Sequence, residues 1–175
     1  MVGHVQRYDL HLHTEWSYDG CVSVADYFAA AAGAGMTCIA TADHNNWDAG
    51  CDAAEAASRY PGVSYVAGTE LYVRVQSLGN AWLHLLCYNI SPQSEHLLPI
   101  ARWYHEWARQ GGRALVDALV SEAGLDRSAA EAVARACRPC RTYEVQGVTH
   151  ASRARIAAAL EAGGMRANED LLDAI

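Results

Sequence analysis

The chain has 175 residues, half of them apolar (51%), a net charge of −7 and six cysteines. That length suffices for one ordinary domain, or for a smaller core with an appendage. The acidic balance, with a pI near 5.5, argues against a broad footprint on long nucleic acid or anionic membrane, while leaving room for a local basic pocket for phosphate.

The opening residues lack the charged and apolar regions of a signal peptide, and no apolar run approaches the ~20 residues that span a bilayer. A cytoplasmic setting with reduced thiols is therefore expected. Cys137-Arg138-Pro139-Cys140 has the spacing of half a zinc site or of a redox pair. No second pair accompanies it, and it is read as two ordinary thiols at a helix end.

In chain order, residues 5–12 read as a strand, and 23–34 as an Ala-rich helix with Ser23 as cap and Asp26 three residues on. Residues 37–42 form a short apolar strand, 48–59 a helix stopped by Pro61-Gly62, and 63–67 another strand running into Gly68. Ala81–Tyr88 is apolar enough for a strand buried on both faces. Alternating strands and helices predict β-α-β units and a largely parallel sheet, which carries its chemistry at the C-terminal strand ends.

After Pro92 strand signals cease, and 94–110, 112–123, 128–137, 152–162 and 168–175 read as helices. The expected division is 1–92 for the α/β part and 93–175 for an all-helical subdomain.

Metal-type side chains recur at the predicted strand ends. His11 and His13 stand two apart in an extended segment, so both point to one face with Asp9, while Leu10 and Leu12 enter the core. Asp19 follows in S-Y-D-G, where a plain turn is the competing reading. Asp43 and His44 close the next strand; adjacent side chains diverge, so His44 is the candidate ligand and Asp43 its support. Glu70 follows Gly68-Thr69, and a carboxylate there could bridge two cations. His84 lies within the apolar strand 81–88, where a hydrogen-bonded core histidine is the competing reading. His4, His96, His105 and His150 lack such placement and are expected at the surface. Mixed nitrogen and oxygen donors suit zinc, manganese or iron, and two or three such ions could activate water and hold phosphoryl oxygens.

These stretches, Y-D-L-H-L-H-T-E-W-S-Y-D-G from Tyr8, T-A-D-H-N from Thr41, A-G-T-E-L from Ala67 and H-L-L-C-Y from His84, resemble the PHP domain family, named for polymerase and histidinol phosphatase. The resemblance covers most of residues 8–90 and looks nearest to the stand-alone metal-dependent phosphoesterases, hydrolases of small phosphorylated substrates such as nucleoside 3′,5′-bisphosphates and short oligonucleotides. It implies a partial distorted (β/α)7 barrel with an all-helical insertion and up to three divalent ions. His11 and His13 would bind one ion, Glu70 would bridge it to a second held also by His84, and Asp19 with His44 would bind a third. His11, His13, Glu70 and Asp19 are thereby implied as the catalytic set.

Ser152-Arg153-Ala154-Arg155-Ile156-Ala157 is similar to the family's T-R-P-H-I-A stretch. This implies substrate phosphate contacts at Arg153 and Arg155, the latter standing where a histidine is usual. The family's later A-H-P, E-V and D-x-H segments are not found before Ile175. The expectation is a truncated or split member with reduced metal occupancy, completed by a missing C-terminal half or by an oligomer, and with an exposed apolar edge on strand 81–88. The alternative is a non-catalytic module that keeps the PHP framework for binding or regulation.

Overall fold

The computed structural model describes residues 7–91, 93–137 and 152–175. They divide into two compact units, with the break between Ala101 and Arg102. No helix among them is long and apolar enough to cross a membrane.

In the first unit, β1 (Tyr8–Leu12), β2 (Cys38–Thr41) and β3 (Ser64–Val66) form a parallel sheet in the order β1-β2-β3. The connections are α1 (Val24–Gly33) and α2 (Ala49–Arg59). Ser23 caps α1 as its sequence predicts: its Oγ accepts from the Asp26 N–H at 3.1 Å and donates to Asp26 Oδ2 at 2.7 Å, a cap of the kind that contributes about 1 kcal/mol. The core joins Val24, Phe28 and Ala31 of α1, Ile39 of β2, Ala49, Ala53 and Ala56 of α2, and Val63. Leu12 packs against it, whereas Leu10 is 40% exposed. The register shift between Asp9 and Leu12 breaks the strict alternation that would have buried both.

The expectation of a largely parallel sheet fails after β3. Residues Gly68–Val75 form β4, which pairs antiparallel with β5 (Ala81–Tyr88) as a separate two-stranded sheet. The signal was present: Leu71, Val73 and Val75 alternate with Glu70, Tyr72 and Arg74. The five-residue connection holds a 3-10 turn at Gln76–Leu78, and Gly79 and Asn80 lead out of it into β5 with positive φ, 67° and 63°. Nor is β5 buried on both faces: Trp82, Leu83 and Leu85 are exposed. Among the described residues β5 pairs on one side only, and the described strands do not close into a barrel.

A single parallel bridge between His44 and Glu70 ties the start of β4 to the end of the β2 segment. Gly68 allows this approach, because a Cβ there would lie 2.6 Å from the Thr41 carbonyl oxygen and 2.9 Å from that of Cys87.

Across the division, α3 runs unbroken from Leu98 to Ser121, although Gly111-Gly112 suggested two helices. The buried positions Ala101, Tyr104, Ala108, Gly112, Val116 and Leu119 recur at helical spacing, so Gly112 sits in the apolar stripe, and tertiary burial outweighs its poor propensity of about 1 kcal/mol. In the second unit Val116 and Leu119 pack with Ala130, Val133, Ala134 and Cys137 of α4 (Arg127–Cys137) and with Ala159 and Leu160 of α5 (Arg153–Ala162). The short α6 (Glu169–Ala174) is capped by Asn168, which accepts from the Leu171 N–H at 2.8 Å.

The five described cysteines, Cys21, Cys38, Cys51, Cys87 and Cys137, are free thiols. Cys140, the partner of Cys137 in the C-x-x-C pair, lies outside the described residues, as do His4 and His150.

Gly68→Ala is expected to lower stability by about 2–4 kcal/mol. Gly62→Ala, where nothing lies within 4 Å of the new Cβ, is expected to change it by less than ~0.5 kcal/mol. Denaturant unfolding of both variants against the parent checks the contrast.

Candidate metal centre

The site is built on two strand ends and a hairpin. β1 delivers His11 and, just past its end, His13; the turn after it delivers Asp19; the segment after β2 delivers His44; β4 and β5 deliver Glu70 and His84. Gly20 lets the Asp19 turn fold back, since a Cβ there would fall 1.9 Å from the Thr14 carbonyl oxygen.

All six side chains meet. Glu70 Oε2 lies 3.0 Å from His11 Nε2, 3.0 Å from His13 Nε2 and 3.7 Å from His44 Nδ1, while Oε1 lies 2.6 Å from His84 Nδ1. Asp19 Oδ2 lies 2.9 Å from His13 Nδ1 and 3.3 Å from His44 Nε2. Three triads result, His11-His13-Glu70, His13-Asp19-His44 and His44-Glu70-His84, each with its donor atoms within 4.8 Å of one another. His13, His44 and Glu70 each belong to two of them.

The donor set fits divalent ions. Glu70 and His44 are nearly buried, with side chains 5% and 6% exposed, and an unpaired carboxylate at such a depth is costly. The partners around Glu70 are imidazoles, which are neutral when acting as ligands. His13 Nε2 is buried and makes no hydrogen bond, although Glu70 Oε2 stands 3.0 Å away. A lone pair held off-line from a carboxylate, inside a ring of nitrogen and oxygen donors, matches coordination better than hydrogen bonding.

Asp43 takes no place in this ring. It is fully buried, accepting from the Thr14 N–H at 2.6 Å and from the Thr14 hydroxyl at 2.9 Å. Its own carbonyl oxygen accepts from the Glu70 N–H at 3.1 Å and from the Thr69 hydroxyl at 2.8 Å. Burial pushes its carboxyl up to about 6, against the lowering effect of the Thr14 bonds. Ser17, which the motif reading passed over, is buried and donates to Asp19 Oδ1 at 2.5 Å. The hydroxyl residues that interleave the ligands, Thr14, Ser17 and Thr69, were the available signal for these supports.

Arg153 and Arg155 belong to the second unit, on the exposed first turn of α5. There Arg153 is paired with Asp173 and, at 2.7 Å, with Glu169. His96 is exposed beside Glu95, while His105 is half-buried rather than a surface residue, because it follows Tyr104 of the apolar stripe.

A mixed α/β chain with a histidine-carboxylate cluster at its strand ends defines the class. The PHP domain model matches residues 9–129, so the chain belongs to the PHP domain family. Among solved structures it resembles a candidate metal-dependent phosphoesterase from Bifidobacterium adolescentis, with a TM-score of 0.65 and 24% identity over 91% of this chain and 51% of that one. It also resembles an amidohydrolase from Chromobacterium violaceum solved with bound sulfate and no metal, at a TM-score of 0.63 and 25% identity over 90% and 50%. The chain spans about half the length of these structures. No curated protein matches it.

The ionisation of the ring sets opposite pH slopes with and without metal. The hydrogen bond to Asp19 holds His13 above its ordinary value, with burial opposing and the charges of Asp19, Glu70 and Asp43 adding. Burial works to raise Asp19, but its bonds with His13, His44 and Ser17 prevail and hold it well below the carboxylate range. Burial likewise opposes a lowering of Glu70 by His11, His44 and His84. A raised group stabilises the fold below its unfolded value and loses that contribution as pH rises through the folded one; a lowered carboxyl does so above its unfolded value and loses it in acid. Between pH 6 and 8 the lowered carboxylates are constant, while His13 and the end of the Asp43 titration both remove stability. The metal-free chain is therefore expected to lose a few degrees of melting temperature over that window. Metal ligation needs neutral imidazole and strengthens with pH, so excess divalent metal should flatten or reverse the slope. Parallel slopes in calorimetric scans would contradict the assignment.

Proposed function

We propose that the chain is the metal-holding part of a phosphoesterase that hydrolyses small phosphate esters, nucleoside bisphosphates and short oligonucleotides among them. The observation that carries this reading is the convergence of His11, His13, Asp19, His44, Glu70 and His84 into three overlapping triads, in a chain of the PHP domain family. In this reading the two sheets are part of a distorted (β/α)7 barrel comprising residues 1–92, and the helices of 93–175 are its insertion. The setting is cytoplasmic.

His11, His13 and Glu70 would hold one divalent ion, His44, Glu70 and His84 a second, and His13, Asp19 and His44 a third. Manganese, zinc and iron suit this donor set. Such ions supply Lewis acidity, lowering the pKa of water and balancing charge on phosphoryl oxygens. The chain's own contribution is placement. Glu70, locked by its main-chain bonds to Asp43 and Asn45, presents one oxygen to three imidazoles and the other to His84. Ser17 fixes one oxygen of Asp19, leaving Oδ2 toward His44. Arg153 and Arg155 are assigned to the substrate's phosphate, which for Arg153 requires exchange of Glu169 and Asp173 for phosphate oxygens.

A second reading, a binding or regulatory module that retains the framework without catalysis, is favoured by the sharing of His13, His44 and Glu70 between triads. Six side chains give each ion few donors of its own. Full occupancy would then need donors from a further protein segment, from an oligomer partner or from substrate, and the chain alone is expected to hold fewer than three ions tightly.

Elemental analysis combined with a manganese-supplemented panel of phosphomonoesters, nucleoside bisphosphates and short oligonucleotides separates the two. The phosphoesterase reading predicts turnover that Glu70→Gln and His13→Ala each reduce by at least ~10²-fold, with parallel loss of metal. Bound metal without turnover on any ester supports the module. Unchanged metal content in both variants would refute the site.

A further inference from the structure

The metal-type cluster continues outward along one face of the β4-β5 hairpin into a row of rings. The antiparallel register sets Glu70 opposite Leu86, Tyr72 opposite His84 and Arg74 opposite Trp82. Alternation puts Glu70, Tyr72, Arg74, His84 and Trp82 on the same face. Tyr72 and Trp82 stack diagonally, with centroids 4.8 Å apart and planes at 12°. His84 meets the Tyr72 ring edge-on at 5.0 Å, and the Arg74 guanidinium carbon lies 5.8 Å from the Trp82 ring centroid.

Tyr72 and Trp82 are nonetheless 51% and 55% exposed. Stacked on each other, the two rings cover one face of each and leave the rest half open to water beside the Arg74 guanidinium, a place where a further flat ring joined to a negative group can extend the stack. Their position gives that ring an address. Trp82 is two residues from His84, about 7 Å along the strand, so a molecule on the ledge reaches the cluster with a short polar spacer.

Resting on the phosphoesterase reading, we propose that Tyr72 and Trp82 form the subsite for a nucleobase. A substrate's base stacks on this ledge, its phosphate reaches the six-residue centre, and Arg74 meets a second negative group of the same molecule. Stacking tolerates any base, because every base offers a flat π-face. The ledge therefore selects nucleotides over simple sugar phosphates without discriminating strongly among bases.

The test compares calorimetric binding of adenosine 5′-monophosphate and ribose 5-phosphate to the manganese-loaded chain, Trp82→Ala and Trp82→Phe, with metal content measured on each. The nucleotide is expected to bind the parent about tenfold or more tighter than the sugar phosphate. Trp82→Ala should collapse that ratio toward one with metal content and sugar-phosphate affinity unchanged, and Trp82→Phe should keep most of it. A purely structural ring pair would instead weaken both ligands together. A ratio near one in the parent, or an unchanged ratio in Trp82→Ala, overturns the ledge while leaving the phosphoesterase reading intact. If metal and ribose 5-phosphate both fail to bind, the phosphoesterase reading falls. In that case the ledge stands only if adenosine 5′-monophosphate still binds the parent and Trp82→Ala weakens it about tenfold or more, and an absent or unchanged affinity overturns it.

Discussion

The carboxylate of Asp43 is the knot on which the site depends. It is fully buried and spends both oxygens on Thr14, between His13 and Asp19, while its carbonyl oxygen takes the Glu70 amide and the Thr69 hydroxyl. Three chain segments that are distant in sequence are thereby fixed against one another, and His44 is next in line. Burying such a group is unfavourable, as its carboxyl, pushed up to about 6, records. The gain is geometric: the loops bearing the ligands cannot shift without leaving a buried acceptor unmet.

From that knot the ring follows with little further specification. His11 and His13 emerge where β1 ends, Gly20 permits the Asp19 turn, and Gly68 lets β4 close against Thr41. Glu70 then stands among four imidazoles with no Lys or Arg paired to it among the described residues. Electrostatically this arrangement is incomplete unless imidazoles take up protons or cations enter, and the two alternatives are distinguished by pH.

Much of this was legible in the sequence because the period of an extended strand assigns faces directly. The H-x-H pair and the divergence of Asp43 from His44 needed only that rule, and the Ser23 cap of α1 only its spacing to Asp26. The hairpin was less legible. Glu70 reads as the end of a strand if Gly68 is taken as a terminator, but Gly68 is there for close backbone approach, and the strand begins with it. That one inference turned β5 into an expected parallel neighbour and hid the row formed by Tyr72, Arg74 and Trp82. Gly112 misled in the same manner: a residue of poor helix propensity lay in a buried stripe, where packing decided. Asp43's role was half visible, since its support of the ligands could be guessed but nothing in the sequence singled out Thr14 among the interleaved hydroxyls as its partner.

The central claim is that these six side chains are one shared ligand set for divalent ions. Anomalous diffraction at the zinc edge, from crystals of the chain equilibrated with zinc, tests it most directly. The account predicts peaks inside the ring, about 2.0–2.2 Å from imidazole nitrogens and carboxylate oxygens, with Glu70 contacting more than one ion. Zinc bound only elsewhere, with Glu70 and Asp19 still hydrogen-bonded to His11, His84 and His13, would contradict it.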